Sequence, residues 1–250
     1  MVLLLQPSLL ENAHVRDLTY MTPAGNIHEN KTGQRQAWDA EYQVKGTLWG
    51  NSPLEPTTQI NQGIFLDLGC GNGKNLRTAS FATCRIGLDF SMTALRLCRS
   101  RSELADVSFI CADVRYLPFK KSQIQNIDAH HILGHLLHTD RITAAREITR
   151  TLSPDGELLV TVFGTEDFRS TSGVEVEDGT LLKGNGIITH YFSESDIQSL
   201  FVDLTLLSAS PCTWTMRVKN QLFPRFVWIL RYRKSGHTVP GPKTGVSSGL

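Results

Sequence analysis

Apolar and polar positions alternate along the middle of this 250-residue chain with two different periods. Short apolar runs bounded by glycine or polar residues predict buried β-strands. These runs cover residues 64–68, 85–89, 107–112, 126–130 and 158–163. Between them, apolar residues at helical spacing predict one helix capped by Ser91 and another capped by Thr139. Alternating strands and helices with short connections predict a parallel sheet that is covered on both faces.

The pattern differs on either side of this region. Residues 34–45 predict an amphipathic helix with Trp38 and Tyr42 on one side. After residue 163 come a polar, glycine-rich insertion, a short helix capped by Ser193, and the strand-like segments DLTLLSAS and RFVWILRYR. We expect an α/β fold, with a doubly wound and mostly parallel sheet, an N-terminal helical cover and an insertion after the fifth strand. The expected limits are 1–62 for the extension and cover, 63–234 for the main domain with its insertion at 164–192, and 235–250 for a disordered tail.

Charge and cysteine content narrow the classes of protein. The formal net charge of +1 gives no overall preference for nucleic acid or membrane surfaces. The five cysteines are an odd number and form no C-x-x-C pair, which favours a reducing cytoplasm and disfavours a structural zinc site. The initial VLLL segment follows no basic residues and ends at Gln6 and Pro7, so we expect neither a signal peptide nor a membrane span there.

The segment IFLDLGCGNGKNL at residues 64–76 indicates which kind of ligand the protein binds. Lys74 stands where a dinucleotide-binding loop has its third glycine, so a pyrophosphate fits less well than a carboxylate. Asp67 before the loop would attract an amine, and Asp89 at the next strand end can accept hydrogen bonds from a ribose. Asp113 ends the third strand within reach of an adenine amine. An amino acid, a ribose and an adenine joined together describe S-adenosylmethionine.

Four segments together resemble the class I S-adenosylmethionine-dependent methyltransferases, over roughly residues 63–163: FLDLGCGNGKNL, GLDFS, ADVRYLPF and AAREITRTLSPDGELLV. Within that superfamily the chain is similar to the group that includes small-molecule and wobble-uridine tRNA methyltransferases. The resemblance implies seven strands with a reversed last hairpin, and a helix and loop, WDAEYQVKGTLWG, folded over the cofactor. It further implies that Gly69, Gly71, Asp89, Phe90, Asp113 and Val114 line the cofactor. The full set of expected cofactor contacts is Asp67, Gly69, Cys70, Gly71, Asn72, Asp89, Phe90, Ser91, Asp113, Val114 and His130.

One position departs from the pattern that the resemblance implies. Where the similar proteins have a Phe-Asp pair opening the fourth strand, this chain has Ile124 and Gln125. Gln125 retains hydrogen-bonding capacity without the charge. The charge of the usual acid is therefore missing at this position, and Asp128 is a nearby alternative.

The expected acceptor-side residues follow the fourth strand and the insertion. In the similar proteins, residues just past the fourth strand face the methyl group, which makes His130 and His131 candidates, as a base or as pocket-shaping groups. We assign catalytic roles to His131 and to Tyr191. No metal ligand is assigned, because no carboxylate or cysteine joins the histidines at ligand spacing.

The methyl acceptor is inferred from charge alone. Five acids in residues 164–186 would repel a nucleic-acid backbone, which favours a small molecule or a protein side chain over tRNA. The basic C-terminal segment is more typical of a protected sheet edge than of a base-stacking surface. Two other classes stay open, a nicotinamide-dependent oxidoreductase and a non-catalytic partner subunit with the same fold.

Overall fold

The computed structural model describes residues 19–20, 33–48, 63–79 and 82–236. Eleven strands lie in this part of the chain: β1 (Thr19–Tyr20), β2 (Ile64–Leu68), β3 (Cys84–Asp89), β4 (Ser108–Cys111), β5 (Ile124–His130), β6 (Leu152–Phe163), β7 (Val174–Glu177), β8 (Thr180–Leu182), β9 (Ile188–His190), β10 (Thr205–Val218) and β11 (Gln221–Arg233). The described helices are α1 (Gln34–Lys45), α2 (Met92–Arg99), α3 (His138–Thr151) and α4 (Glu194–Leu200). Short 3-10 turns cover Ser102–Leu104, Ile132–His135 and Phe168–Thr171.

The main sheet has the strand order β1-β4-β3-β2-β5-β6-β11-β10. Neighbouring strands run parallel from β1 through β6, whereas β11 pairs antiparallel with both β6 and β10. This arrangement confirms the predicted seven-stranded, mostly parallel sheet with a reversed last hairpin. The two-residue strand β1 is an addition at the edge next to β4 that the apolar pattern did not predict.

Helices cover both faces of the sheet. On one face, α3 and α4 bury Ile148 and Ile197, together with Phe201 just after α4, against apolar residues of β2, β3, β5 and β6. On the other face, α2 buries Leu95 and Cys98 against β2 and β4. The doubly wound α/β class is therefore confirmed. No described helix has the length and apolar character needed to cross a membrane.

Two of the three predicted helix caps are present. The Ser91 hydroxyl accepts a hydrogen bond from the backbone N–H of Ala94, and Ser193 forms a capping box with Asp196 at the start of α4. The predicted cap at Thr139 is wrong, since α3 already begins at His138 and has no side-chain cap from its own N-cap residue. Instead the carboxylate of Glu177, in the insertion, accepts a hydrogen bond from the backbone N–H of His138 at 2.8 Å.

Local structure differs from the sequence pattern at two further places. Residues 71–78 form successive turns with no regular helix, so the loop after β2 does not present a helix N-terminus to a ligand. The insertion is folded, because β7, β8 and β9 form a separate three-stranded antiparallel sheet. The end of the segment WDAEYQVKGTLWG at residues 49–50, most of residues 1–62 and the predicted tail at 237–250 lie outside the described residues.

Gln125 lies at the start of β5, at the end of the parallel sheet opposite to the strand carboxyl ends. Its side-chain oxygen accepts a hydrogen bond from the backbone N–H of Ile64 at 2.8 Å, and its amide donates to the carbonyl of Gln123 at 3.3 Å. The side chain therefore fastens the start of β5 to the start of β2. At that place the missing charge affects strand pairing and not the edge where ligands bind.

Candidate active site

A cavity of about 440 Å³ runs along the carboxyl ends of the parallel strands. The part above β2, β3 and β4 is lined by Gly69, Cys70, Gly71, Asn72, Lys74, Asp89, Phe90, Asp113 and Val114. The part beyond β5 is lined by His130, His131, His135, Phe163, Ile188, Trp214, Met216 and Arg225. Helix α1 and the residues after it contribute Gln34, Trp38, Tyr42 and Leu48.

Most of the residues expected at the site from the sequence line this one cavity. Three do not, namely Asp67, Ser91 and Tyr191. Ser91 is fully buried as the cap of α2, where its hydroxyl donates to the Asp39 carboxylate of α1 at 2.6 Å. Ser91 thus ties the N-terminal helix to the strand end that carries Asp89.

The glycine loop is a tight backbone turn closed against β3. The N–H groups of Gly69 and Cys70 both donate to the carbonyl of Leu88, at 2.7 and 3.1 Å. Gly71 has a φ of +53°, and a Cβ there would lie 2.5 Å from the Tyr42 hydroxyl. The positive φ favours glycine at this position, and the Tyr42 hydroxyl of the helical cover lies close to the loop backbone.

Asp89 holds the loop and still has acceptor capacity. One carboxylate oxygen accepts from the N–H of Gly71 at 2.9 Å and the other from the N–H of Ser91 at 2.8 Å. Burial raises the pKa of Asp89 to about 6, although these backbone hydrogen bonds lower it. A carboxylate offers about four acceptor sites, so two remain for hydroxyl donors in the cavity.

Asp113 is already engaged in an ion pair. The guanidinium of Arg115 contacts the Asp113 carboxylate at 2.6 Å and reaches the Asp140 carboxylate of α3 at 3.0 Å. All three residues line the cavity. The pairing fixes the Asp113 carboxylate at the end of β4, and Arg115 reduces the negative potential that a ligand would meet there.

Asp67 is a buried carboxylate that is 1% exposed. Neither of its oxygens accepts a hydrogen bond from any residue in the described part of the chain. It lies directly opposite Asp128 of β5 in the strand register. Burial, and then the charge of Asp128, raise the pKa of Asp67 well above its ordinary value, while Lys74 lowers it.

The two adjacent histidines after β5 have different environments. His130 contacts the Thr161 hydroxyl through Nδ1 at 3.1 Å and the Asp128 carboxylate through Nε2 at 3.4 Å. His131 has a φ of +62° and stacks on Phe163, with ring centroids 4.1 Å apart. Burial, followed by the nearby histidines, lowers the pKa of His131 well below its ordinary value. Its imidazole is therefore neutral near pH 7.

Charge in the insertion is arranged differently from the sequence-based expectation. Asp167 is fully buried and accepts hydrogen bonds from Arg169 at 2.9 Å and from Arg225 at 2.7 Å. Burial would raise the Asp167 pKa, but the hydrogen bonds from the two arginines outweigh it and lower the pKa. Glu175 and Glu177 accept hydrogen bonds from backbone N–H groups. The described cavity wall on this side carries Arg225, not the acids of the insertion.

The terminal hairpin supplies cavity residues that the sequence analysis missed. Trp214 and Met216 of β10 line the cavity together with Arg225 of β11. Trp214 lies directly opposite Arg225 in the hairpin register, and the Arg225 guanidinium is 5.1 Å from its ring centroid. The sequence signal that was available is Asn220, since asparagine is favoured in two-residue hairpin turns. In the structure Lys219 and Asn220 both have positive φ and form such a turn.

Tyr191 is buried behind residues that do line the cavity. Its ring lies 6.4 Å from the ring of Phe163, and burial raises its pKa to about 12. Phe163 therefore forms the cavity wall at the place where the sequence suggested Tyr191. His190 is also buried, with its Nδ1 2.9 Å from the Thr180 hydroxyl.

Known proteins match the same region of the chain. Residues 65–156 match a family described as methyltransferase domain. The chain is 31% identical over 109 residues to a phthiotriol/phenolphthiotriol dimycocerosates methyltransferase of Mycobacterium leprae, covering 40% of this chain and 38% of that protein. It is 33% identical over 104 residues to a tRNA (carboxymethyluridine(34)-5-O)-methyltransferase of Xenopus tropicalis, covering 41% of this chain and 16% of that protein. The chain thus spans well under half the length of these two relatives.

Solved structures share the architecture over a longer range. The Burkholderia thailandensis 1,6-didemethyltoxoflavin-N1-methyltransferase, solved with 1,6-didemethyltoxoflavin and S-adenosylhomocysteine, superposes with a TM-score of 0.61 and 17% identity. This superposition covers 86% of the present chain and 93% of the other. With the glycine loop after β2 and the reversed hairpin at the end of the sheet, the chain has the fold of the class I S-adenosylmethionine-dependent methyltransferases, and its residues 65–156 match the methyltransferase domain family.

Proposed function

We propose that this chain is an S-adenosylmethionine-dependent methyltransferase that uses the two parts of one cavity for its two substrates. The observation that carries the proposal is the position of the cavity across β2 and β5, where the strand order reverses. Open parallel sheets bind ligands at such a reversal, outside the strand carboxyl ends. The cofactor lies above β2, β3 and β4, and the acceptor lies beyond β5.

The residues in the first part of the cavity suit the cofactor. Asp89 retains acceptor sites for two ribose hydroxyls, and Asp67 provides a buried carboxyl group near the loop that would bind an amino acid moiety. The backbone of the Gly69–Gly71 loop and the apolar Phe90 and Val114 complete the contacts that we propose. Tyr42 and Trp38 of α1 cover them.

When bound, S-adenosylmethionine supplies a methyl group that is already activated by a sulfonium. The protein then has to align an acceptor atom and, for a protonated acceptor, receive a proton. His131 suits both tasks, because its imidazole is neutral and its stacking on Phe163 fixes the ring plane. Both ring nitrogens of His130 contact protein side chains, namely those of Asp128 and Thr161. These contacts fix the ring, so we assign His130 to shaping the cavity and not to accepting a proton.

The acceptor that we favour is a small molecule or a protein side chain. Support comes from the lining of the second part of the cavity, which combines aromatic rings, Met216 and a buried arginine. A tRNA acceptor is a second candidate, since one relative is a tRNA methyltransferase and the hairpin tip carries the exposed Arg217 and Lys219. The charge argument against tRNA no longer applies, because the insertion acids do not line the described cavity wall.

Two measurements test the proposal. Calorimetry with S-adenosylhomocysteine and with NAD separates a methyltransferase from a nicotinamide-dependent oxidoreductase, and we expect binding of the former alone. Methyl-labelled S-adenosylmethionine incubated with cell extract, then divided into RNA, protein and small molecules, identifies the acceptor class. Binding of S-adenosylhomocysteine with no transfer to any fraction would support a non-catalytic partner subunit instead.

A further inference from the structure

Arg225 is a buried cation with unused hydrogen-bonding capacity in the cavity wall. It is 7% exposed, and its Nε donates to Asp167 at 2.7 Å. Its two terminal nitrogens donate no hydrogen bond to any residue within the described ranges. Arg225 is also one of the residues that line the cavity.

Positive groups cluster around Arg225. Two guanidinium groups, of Arg169 and Arg225, contact the same carboxylate of Asp167. The ammonium of Lys183 donates to the Arg169 carbonyl at 2.6 Å. This clustering of cations gives this end of the cavity a positive potential, which favours an anion.

Aromatic rings hold the Arg225 guanidinium in place. Its Cζ lies 5.1 Å from the ring centroid of Trp214, 5.4 Å from that of Phe163 and 5.7 Å from that of Phe168. The same Phe163 ring stacks on His131. A planar group placed among these rings gains stacking contacts, while the fixed guanidinium offers two parallel donors to a carboxylate.

The position of Arg225 separates it from the cofactor. Four strand spacings lie between β3, which ends in Asp89, and β11, so the two strands are about 19 Å apart. The amino acid moiety of the cofactor is expected at the loop after β2, on the near side of β5. An anion at Arg225 therefore belongs to the acceptor.

We propose that the methyl acceptor is a planar ring compound that carries a carboxylate, and that Arg225 determines this specificity by binding the carboxylate in a bidentate fashion. The inference rests on the proposed function and names its substrate class. Trp214, which is 44% exposed, forms the outer side of the acceptor site, and Phe163 with His131 forms the inner side.

A matched pair of ligands tests the proposal. Calorimetry measures 2-naphthoate and its neutral counterpart 2-naphthamide against the full chain saturated with S-adenosylhomocysteine. We expect the carboxylate to bind about 10- to 100-fold more tightly, as charge-assisted hydrogen bonds give. Arg225→Gln should abolish this preference, Arg225→Lys should retain part of it, and Arg217→Gln, an exposed change in the same hairpin, should leave it intact.

The outcomes are distinguishable from those for the proposed function. Equal binding of naphthoate and naphthamide to the parent chain overturns the substrate class, even if S-adenosylhomocysteine binds normally. Failure of S-adenosylhomocysteine to bind overturns the proposed function itself. Arg225→Gln removes a hydrogen-bond partner of Asp167 and can therefore fail to fold. In that case the proposal is tested by comparing the preference for naphthoate in the parent chain with that in Arg225→Lys. A preference that persists in a folded Arg225→Gln variant overturns the role of this residue.

Discussion

Replacing Asp67 by Asn should stabilise the unliganded protein and weaken its binding of the cofactor. Asp67 and Asp128 lie opposite each other on adjacent parallel strands, so their side chains are about 5 Å apart. Two carboxylates at that distance repel each other by about 3 kcal/mol at an effective dielectric constant of about 20. Asn has the same shape without the charge. We therefore expect Asp67→Asn to raise the free energy of unfolding by about 1–3 kcal/mol at pH 8.

The pH dependence of this effect has a definite sign. The pKa of Asp67 in the folded protein lies well above its ordinary value of 3.8, so the folded state holds the proton more tightly than the unfolded state. The stability that the protonated group contributes is present at low pH and is lost as the pH rises through the folded pKa. The difference between the variant and the parent should therefore be small at pH 4 and should grow towards pH 8.

Urea unfolding at several pH values measures the stability effect, and calorimetry with S-adenosylhomocysteine measures the binding effect. The ligand amine loses an attractive charge in Asp67→Asn, so its affinity should fall by about fivefold or more at pH 8. Asp106→Asn is the matched control, because Asp106 is an exposed acid whose hydrogen bond from Arg85 lowers its pKa. A variant of Asp67 that is less stable than the parent at pH 8, or that binds the ligand equally well, would refute the reasoning.

Three further predictions concern Asp89 at the end of β3, Gln125 at the start of β5, and the pair His131 and Tyr191 near the part of the cavity beyond β5. Asp89→Ala should lower S-adenosylhomocysteine affinity by about 2–4 kcal/mol in calorimetry, because two charge-assisted hydrogen bonds are lost, and an unchanged affinity would contradict the ribose contact. Gln125→Asp should leave that affinity within a few-fold and cost about 1 kcal/mol of stability in urea unfolding, since the shorter side chain reaches the Ile64 N–H less well. His131→Ala should retain ligand binding and lose most methyl transfer, whereas Tyr191→Phe should lose less, because Phe163 separates that side chain from the cavity wall. Equal loss of turnover in both variants would show that Tyr191 contributes to the acceptor site as much as His131 does.

The residues around the cofactor part of the cavity could be predicted from the sequence, because each is marked by a short sequence pattern. The glycine loop, the acids at successive strand ends and the Ser91 cap each depend on a few neighbouring positions, and parallel strands bring their carboxyl ends to one edge. The side chains that these residues contact could not be predicted in the same way, because several of them lie far away in the sequence. The ion pair between Asp113 and Arg115 extends to Asp140, on a helix 25 residues away. The opposition of Asp67 and Asp128 depends on strand order and register, which the apolar pattern leaves open.

The insertion at residues 164–192 shows why counting its acidic residues was a poor guide to the charge that the methyl acceptor would meet. Counting acids in residues 164–186 treats every carboxylate as facing the acceptor. In the folded protein, Asp167 lies between two arginines, and Glu177 caps α3. Both carboxylates are used for structure, because buried or terminal N–H donors need acceptors. The arginine at the cavity wall is Arg225 of β11, 58 residues beyond Asp167 in the sequence.

The acceptor part of the cavity depends on one hairpin register. A two-residue turn at Lys219 and Asn220 sets Val218 opposite Gln221, and the same register brings Trp214 opposite Arg225. The family match ends at residue 156, before either strand of this hairpin begins. Sequence similarity in the matched region therefore reports the cofactor loop and the strand ends, which members of the superfamily share. In the part of the cavity beyond β5, His130 and His131 lie inside the matched region, whereas Phe163, Trp214, Met216 and Arg225 lie outside it. For the acceptor that we propose, Trp214 and Arg225 are a better guide than percentage identity to any relative, because both residues lie outside the matched region.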